Sequence, residues 1–172
     1  LNIEFVRFSV SPFSGIIVAA EEIDSENKIA YWTSIDCGQN WTKTTEFEQI
    51  SWTSDRVYFY HSPYQPGLLV ALNVKSGDPS HVRISNDDGM TWEQLTLPDS
   101  RWGFRWVSFH PTNPLELYMI FDKSQWWQYP IRRTKDGGQT WEEFGPDCSD
   151  AKKMGESVLV DPTNPNYFAF CN

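Results

Sequence analysis

Apolar residues run along this chain in short bursts between polar turns. Ile16-Ile17-Val18-Ala19-Ala20, Leu68-Leu69-Val70-Ala71-Leu72 and Leu115-Glu116-Leu117-Tyr118-Met119-Ile120 are each about one strand long. Each follows a polar cluster that holds proline: Ser11-Pro12-Phe13-Ser14-Gly15, Ser62-Pro63-Tyr64-Gln65-Pro66-Gly67 and His110-Pro111-Thr112-Asn113-Pro114. A fourth cluster, Asp161-Pro162-Thr163-Asn164-Pro165, precedes Asn166-Tyr167-Phe168-Ala169-Phe170. Proline has no N–H to give a ladder, so it ends the strand before it and opens a turn. The pattern predicts strands at 4–10, 16–20, 28–34 and from 41, then 56–61, 68–72, 81–85 and 92–97. Further strands are predicted at 105–110, 115–121, 130–134 and 141–144, and a last pair at 156–160 and 166–171. No segment carries helical periodicity, so the expected class is all-β.

A second repeat keeps register with the first. Ser34-Ile35-Asp36-Cys37-Gly38-Gln39-Asn40-Trp41, Ser85-Asn86-Asp87-Asp88-Gly89-Met90-Thr91-Trp92 and Thr134-Lys135-Asp136-Gly137-Gly138-Gln139-Thr140-Trp141 share one pattern. It reads hydroxyl residue, any residue, Asp, any residue, Gly, two more residues, Trp. Asp36, Asp87 and Asp136 fall 51 and 49 positions apart. Pro12, Pro63 and Pro111 stand 24, 24 and 25 positions ahead of them. A period near fifty built from short strands predicts propeller blades.

The eight residues suit a tight turn between strands. Asp accepts backbone N–H bonds, Gly takes a positive φ, and Ser or Thr ties the incoming strand to the turn. Trp opens the outgoing strand and covers the turn with its ring. The motif resembles the Asp-box, or BNR repeat, which is a structural turn in the families that carry it. The resemblance assigns a structural role to Ser34, Asp36, Gly38, Trp41, Ser85, Asp87, Gly89, Trp92, Thr134, Asp136, Gly138 and Trp141. The expected fold is a β-propeller fragment of about three and a half four-stranded blades, at 1–50, 51–100, 101–150 and, for the half blade, 151–172. Such a fragment does not close, so the remaining blades of a larger propeller, or other chains, are its expected neighbours. A start at Leu1 fits a processed or excerpted chain.

Composition narrows the partners. A net charge of −9 with no basic run argues against nucleic acid and anionic membrane surfaces. No apolar stretch approaches the roughly twenty residues of a membrane span, so this segment is expected to make no membrane contact. Cys37, Cys148 and Cys171 are odd in number, which leaves at least one thiol free or paired elsewhere. Asn40-Trp41-Thr42 is an N-glycosylation acceptor pattern, which makes Asn40 a candidate glycosylation site and favours a luminal or extracellular setting. No catalytic residues, metal or cofactor are expected.

In a four-stranded meander the loops alternate between two ends. The proline turns and the Asp-containing turns share one end. The dissimilar loops 21–27, 73–80 and 122–129, with 46–55, 98–104 and 145–155, share the other. Uniform turns serve a repeated structural need, so specificity is expected at the dissimilar end. Trp126 and Trp127 there suit a platform for a sugar or an apolar side chain, or pack between blades. Arg101 and Trp102 offer the same two readings. Asp147 and Asp150, beside Cys148, read as an acidic loop rather than an acid–base pair.

Strand, proline turn, apolar strand and Ser-x-Asp-x-Gly-x-x-Trp together look most like the luminal propeller of sortilin-type sorting receptors. That resemblance implies a non-enzymatic protein or peptide receptor of the secretory or endosomal lumen. Asp161-Pro162-Thr163-Asn164-Pro165 and Thr134-Lys135-Asp136-Gly137-Gly138-Gln139-Thr140-Trp141 also resemble xyloglucan-degrading glycoside hydrolases, which implies a polysaccharide partner and two acidic residues. Neither acid has a matching motif in this chain. Sialidases share the turn but need an Arg-Ile-Pro motif, of which Tyr129-Pro130-Ile131-Arg132 is only a scrambled echo. Photosystem assembly factors with similar propellers are a further non-enzymatic resemblance.

Overall fold

The computed structural model describes residues 4–23, 26, 28–48, 56–74, 81–97, 103–122, 131–144, 157–164 and 168–171. They form strands and turns with no helix among them. The chain divides into two compact units.

The first unit holds two four-stranded antiparallel sheets. Sheet 1 is β1 (Phe5–Val10), β2 (Ile17–Ile23), β3 (Lys28–Ser34) and β4 (Thr42–Glu48), hydrogen-bonded in chain order. Sheet 2 is β5 (Arg56–His61), β6 (Leu69–Val74), β7 (His81–Ser85) and β8 (Glu93–Gln94), in the same order. Val18, Ala19 and Ala20 are all fully buried on this inner strand, which lies between β1 and β3. This explains the continuous apolar run where a half-exposed strand would alternate. The core between the sheets gathers Ala20, Ile29 and Tyr31 with Val57 and Ala71. The Tyr31 ring lies edge-on to Phe47, Phe59 and Trp92, at 4.9, 5.1 and 4.9 Å between centroids.

The second unit holds sheet 3, which is β9 (Gly103–Phe109), β10 (Leu117–Asp122), β11 (Ile131–Thr134) and β12 (Glu142–Phe144). It also holds the pair β13 (Ser157–Val160) and β14 (Phe168–Cys171). Tyr118, Ile120, Ile131 and Val160 form its core, with Trp106 and Phe144 packed on them.

Strand edges differ from the sequence expectation in instructive places. β2 and β6 start one residue later than expected and run further, to Ile23 and Val74. Glu21 and Glu22 stay on the ladder opposite Ala30 and Ile29 despite their charge. The expected strand 92–97 shrinks to Glu93–Gln94, because Leu95 turns inward and is buried in the second unit. Trp41, Trp92 and Trp141 each stand one residue ahead of the outgoing strand.

The proline clusters close by one backbone pattern. Ser11 N–H donates to Ile16 O, Ser62 N–H to Leu68 O and His110 N–H to Glu116 O, at 2.8, 2.8 and 3.1 Å. The residue before the proline caps the turn with its own side chain. Ser11 Oγ accepts from Ser14 N–H, His110 Nδ1 from Thr112 and Asn113 N–H, and Asp161 Oδ1 from Thr163 and Asn164 N–H. Three side chains thus supply one acceptor at one place.

Candidate functional site

The repeated turns have one hydrogen-bond scheme. In the second, Ser85 Oγ accepts from Gly89 N–H at 2.8 Å and donates to Asp87 Oδ1 at 2.8 Å. Asp87 Oδ1 also accepts from Thr91 N–H at 2.8 Å, and Oδ2 from the Thr91 hydroxyl at 2.6 Å. The first turn repeats this with Ser34, Asp36, Gly38 and Asn40. The third repeats it with Thr134, Asp136, Gly138 and Thr140. Both oxygens of each aspartate are taken up inside the turn, which leaves a poor acid, base or metal ligand.

Two central residues, not one, have positive φ. Cys37 and Gly38 lie at 58° and 86°, Asp88 and Gly89 at 55° and 87°, Gly137 and Gly138 at 71° and 92°. Paired positive φ belongs to the hairpin turns that match strand twist. The glycine has a second task in two of the three turns. A Cβ on Gly89 would lie 2.8 Å from Val18 Cγ2, and one on Gly138 2.8 Å from Leu95 Cδ2. On Gly38 it would meet nothing closer than the Trp41 ring at 3.7 Å. The tryptophans differ as well. Trp41 and Trp92 donate Nε1–H to Gly38 O and Gly89 O, whereas Trp141 donates to Thr96 O.

These bonds set the aspartates' acidity. Thr140, through its hydroxyl and then its N–H, holds the Asp136 carboxyl down at about 2. The N–H and side chain of Asn40, with Ser34, depress Asp36. For Asp87 burial pushes upward, and the bonds from Thr91 and Ser85 together outweigh it.

The turns are tied to the proline clusters of their own sheets. Asp88 N–H donates to Gly67 O and Gly137 N–H to Leu115 O, both at 2.9 Å. Both kinds of turn therefore sit at one end of the meander, and β6 and β10 end at the other, with Val74 and Asp122.

Trp126, Trp127, Arg101, Trp102, Asp147 and Asp150 lie outside the described residues. Asn40 is exposed, and its Nδ2 donates to Asp36 Oδ2 at 2.7 Å. Cys37 is an exposed free thiol.

Two polar groupings escaped the sequence reading. Glu116, 8% exposed, accepts from the Tyr118 hydroxyl at 2.6 Å, with Arg133 Nη1 at 3.7 Å and His110 Nε2 at 3.9 Å. Burial, then the bond to Glu116, pushes the Tyr118 phenol far above its usual value. Enclosure of both groups suits a structural brace, since a substrate needs access to a reacting phenol or carboxylate. The second grouping centres on Arg83, with its Cζ 3.4 Å from the Phe47 ring centroid. Asn73 and His81, cross-strand partners, lie two register positions from the Ala71–Arg83 pair and so on the same sheet face. The signal for Arg83 was present in the sequence. Arg83 and Arg132 stand two residues before Ser85 and Thr134 in equivalent strands.

No family model matches this chain, and no curated protein matches it. Solved structures do. A Niastella koreensis GH74 enzyme aligns at 16% identity and a TM-score of 0.61, over 93% of this chain and 25% of its own. The GH74 xyloglucanase from Xanthomonas campestris aligns at 13% identity and 0.52, over 95% and 34%. A structure described as YCF48 bound to D1 peptide aligns at 23% and 0.52, over 95% and 46%. The fold is a β-propeller fold. Sheets 1, 2 and 3 match its four-stranded blades. The chain spans between a quarter and just under half of these structures' lengths.

Proposed function

We propose that the chain is part of a non-enzymatic Asp-box propeller that binds a protein or peptide, as the sortilin-type resemblance implies. One observation carries the reading: the three Asp turns spend every carboxylate oxygen on their own closure, so the repeated motif has no chemistry left over. Function then falls to the opposite end, where the connections differ from blade to blade. Trp126 or Trp127 serves there as an apolar anchor, with Arg101 and Trp102 as further contacts. The peptide named with the YCF48 structure supports the ligand class as a property the same fold supports elsewhere. Asn40 is a glycosylation site in this reading, which places the protein in the secretory lumen or outside the cell.

The test is selection of a displayed random peptide library on the immobilised chain, with xyloglucan hydrolysis assayed in parallel. The expected result is enrichment of a peptide family that loses binding on Trp126→Ala or Trp127→Ala. Release of reducing ends from xyloglucan, with no peptide enriched, would replace the receptor reading by a glycoside hydrolase.

A further inference from the structure

Blades 2 and 3 place an arginine at the same position and treat it differently. Arg132 lies opposite Glu143 across β11 and β12, and its Nη2 meets Glu143 Oε1 at 2.7 Å. Arg83 lies opposite Gln94 across β7 and β8. Glutamine is the neutral counterpart of the glutamate that partners Arg132, so Arg83 keeps its charge without a facing carboxylate. Arg83 is only 9% exposed, and its Nη1 is buried without a hydrogen-bond partner among the described residues. A buried guanidinium is ordinarily paired, because desolvating an uncompensated charge costs several kcal/mol.

Its neighbours are unmatched in the same way. Asn73 is 2% exposed, and neither its Nδ2 nor its Oδ1 has a partner. His81 Nδ1 is also buried and unpartnered, while the buried Tyr31 hydroxyl lies against the Arg83 guanidinium. Asn73, His81 and Arg83 share one face of sheet 2 by register, and Tyr31 faces them from β3; burial pushes its phenol well up, and the Arg83 charge beside it offsets part of that rise. Together they offer a fixed positive charge, the Asn73 amide N–H, the Tyr31 hydroxyl and, in the appropriate tautomer, His81 Nδ1–H. No carboxylate of the described residues forms an ion pair with Arg83.

We propose that Arg83, Asn73, His81 and Tyr31 form an oxyanion-binding site in the first unit, taking a phosphate or a carboxylate. The guanidinium supplies charge and a planar fork that matches either group. The three neutral side chains supply directed hydrogen bonds. Asn73 Oδ1 adds an acceptor, which suits a ligand bearing a hydroxyl beside its charge, such as a singly protonated phosphate. The Phe47 ring stabilises the cation from one side but satisfies none of its N–H donors. The site stands independently of the peptide reading above, because it rests on no residue of that surface.

The experiment is thermal unfolding of the chain in sodium phosphate, sodium acetate and sodium chloride at matched ionic strength and neutral pH. Two variants accompany the wild type: Arg83→Met, which removes the charge, and Gln94→Glu, which installs the carboxylate that Arg132 already has. Phosphate or acetate is expected to raise the wild-type Tm over chloride, saturably with concentration. A response to phosphate alone identifies a phosphate site, and one to acetate alone a carboxylate site. Arg83→Met should lose the response. Gln94→Glu should raise the Tm in chloride and abolish the response, since its own side chain fills the site. Equal wild-type melting in all three salts, or a response that survives Gln94→Glu, overturns the proposal. Should Arg83→Met fail to fold, Gln94→Glu still decides.

Discussion

Blades 1 and 2 are written in the same pattern, yet equivalent residues meet different surroundings. Phe8 and Phe59 stand opposite equivalent alanines, Ala19 and Ala71. Phe59 packs into the aromatic core around Tyr31, while Phe8 is 72% exposed. Gly89 accommodates Val18 in a notch where a side chain would collide, and Gly38 faces no such neighbour. A repeated residue therefore marks a position in a sheet. Whether that position is core depends on whether a second sheet lies on that face.

The largest test of this contrast is a pair of truncations. Phe59→Ala is expected to cost ~3 kcal/mol in urea unfolding, by emptying space beside Tyr31 and Trp92. Phe8→Ala should change stability by under ~0.5 kcal/mol, as exposed substitutions do. Equal losses would show that the sequence position, not the covering sheet, sets the energy.

The glycines sharpen the same point. Gly89→Ala combines the cost of a left-handed alanine, ~1 kcal/mol or more, with an overlap on Val18. Gly38→Ala carries the backbone cost alone, so it should be the milder of the two by ~1 kcal/mol or more. Adding Val18→Ala to Gly89→Ala should recover part of the loss only if the notch is real.

Asp87→Ala opens the turn that both blades share. It is expected to cost roughly 1–3 kcal/mol without a specific effect on ligand binding. Unchanged melting with abolished binding would make the turn a functional site after all.

Acid should act on all three turns together. Asp36, Asp87 and Asp136 have folded-state pKa values below the ordinary carboxylate value. Their contribution is thus complete above the unfolded pKa near ~4 and disappears as pH falls through the folded values. For Asp136 that lower limit is about 2. Asp136→Asn should flatten stability against pH in this window, and an unchanged acid profile would show that the turn bonds do not set it.

The smallest effect is expected at the blade-3 arginine. Glu143 is 78% exposed, so Glu143→Gln, which copies blade 2, should cost under ~1 kcal/mol. A much larger loss would mean that Arg132 depends on this partner as strongly as a buried charge does.

Much of the fold was legible because its signals are local. Proline cannot donate to a ladder, an Asp four residues before Asn40, Thr91 or Thr140 meets their N–H groups within one turn, and strands without helical periodicity lie between. The second left-handed residue, Cys37 or Asp88, was not legible, because neither type announces a positive φ as glycine does. The strand expected at 92–97 was placed correctly but drawn too long, because Leu95 is buried in the second unit and leaves the ladder after Gln94. Arg83 looked like an ordinary strand residue until its register partner proved to be Gln94.

By itself the amino-acid sequence determined the all-β class, the fifty-residue repeat and the residues that close each turn. Those depend on bonds between groups a few positions apart, whose geometry the backbone fixes locally. Only the tertiary structure decided that Phe59 packs against the core while Phe8 is exposed, and that Gly89 receives Val18. It alone left the Arg83 guanidinium buried beside unpartnered polar atoms. Burial and charge compensation depend on which surfaces meet, and surfaces meet across long stretches of chain that no local pattern records.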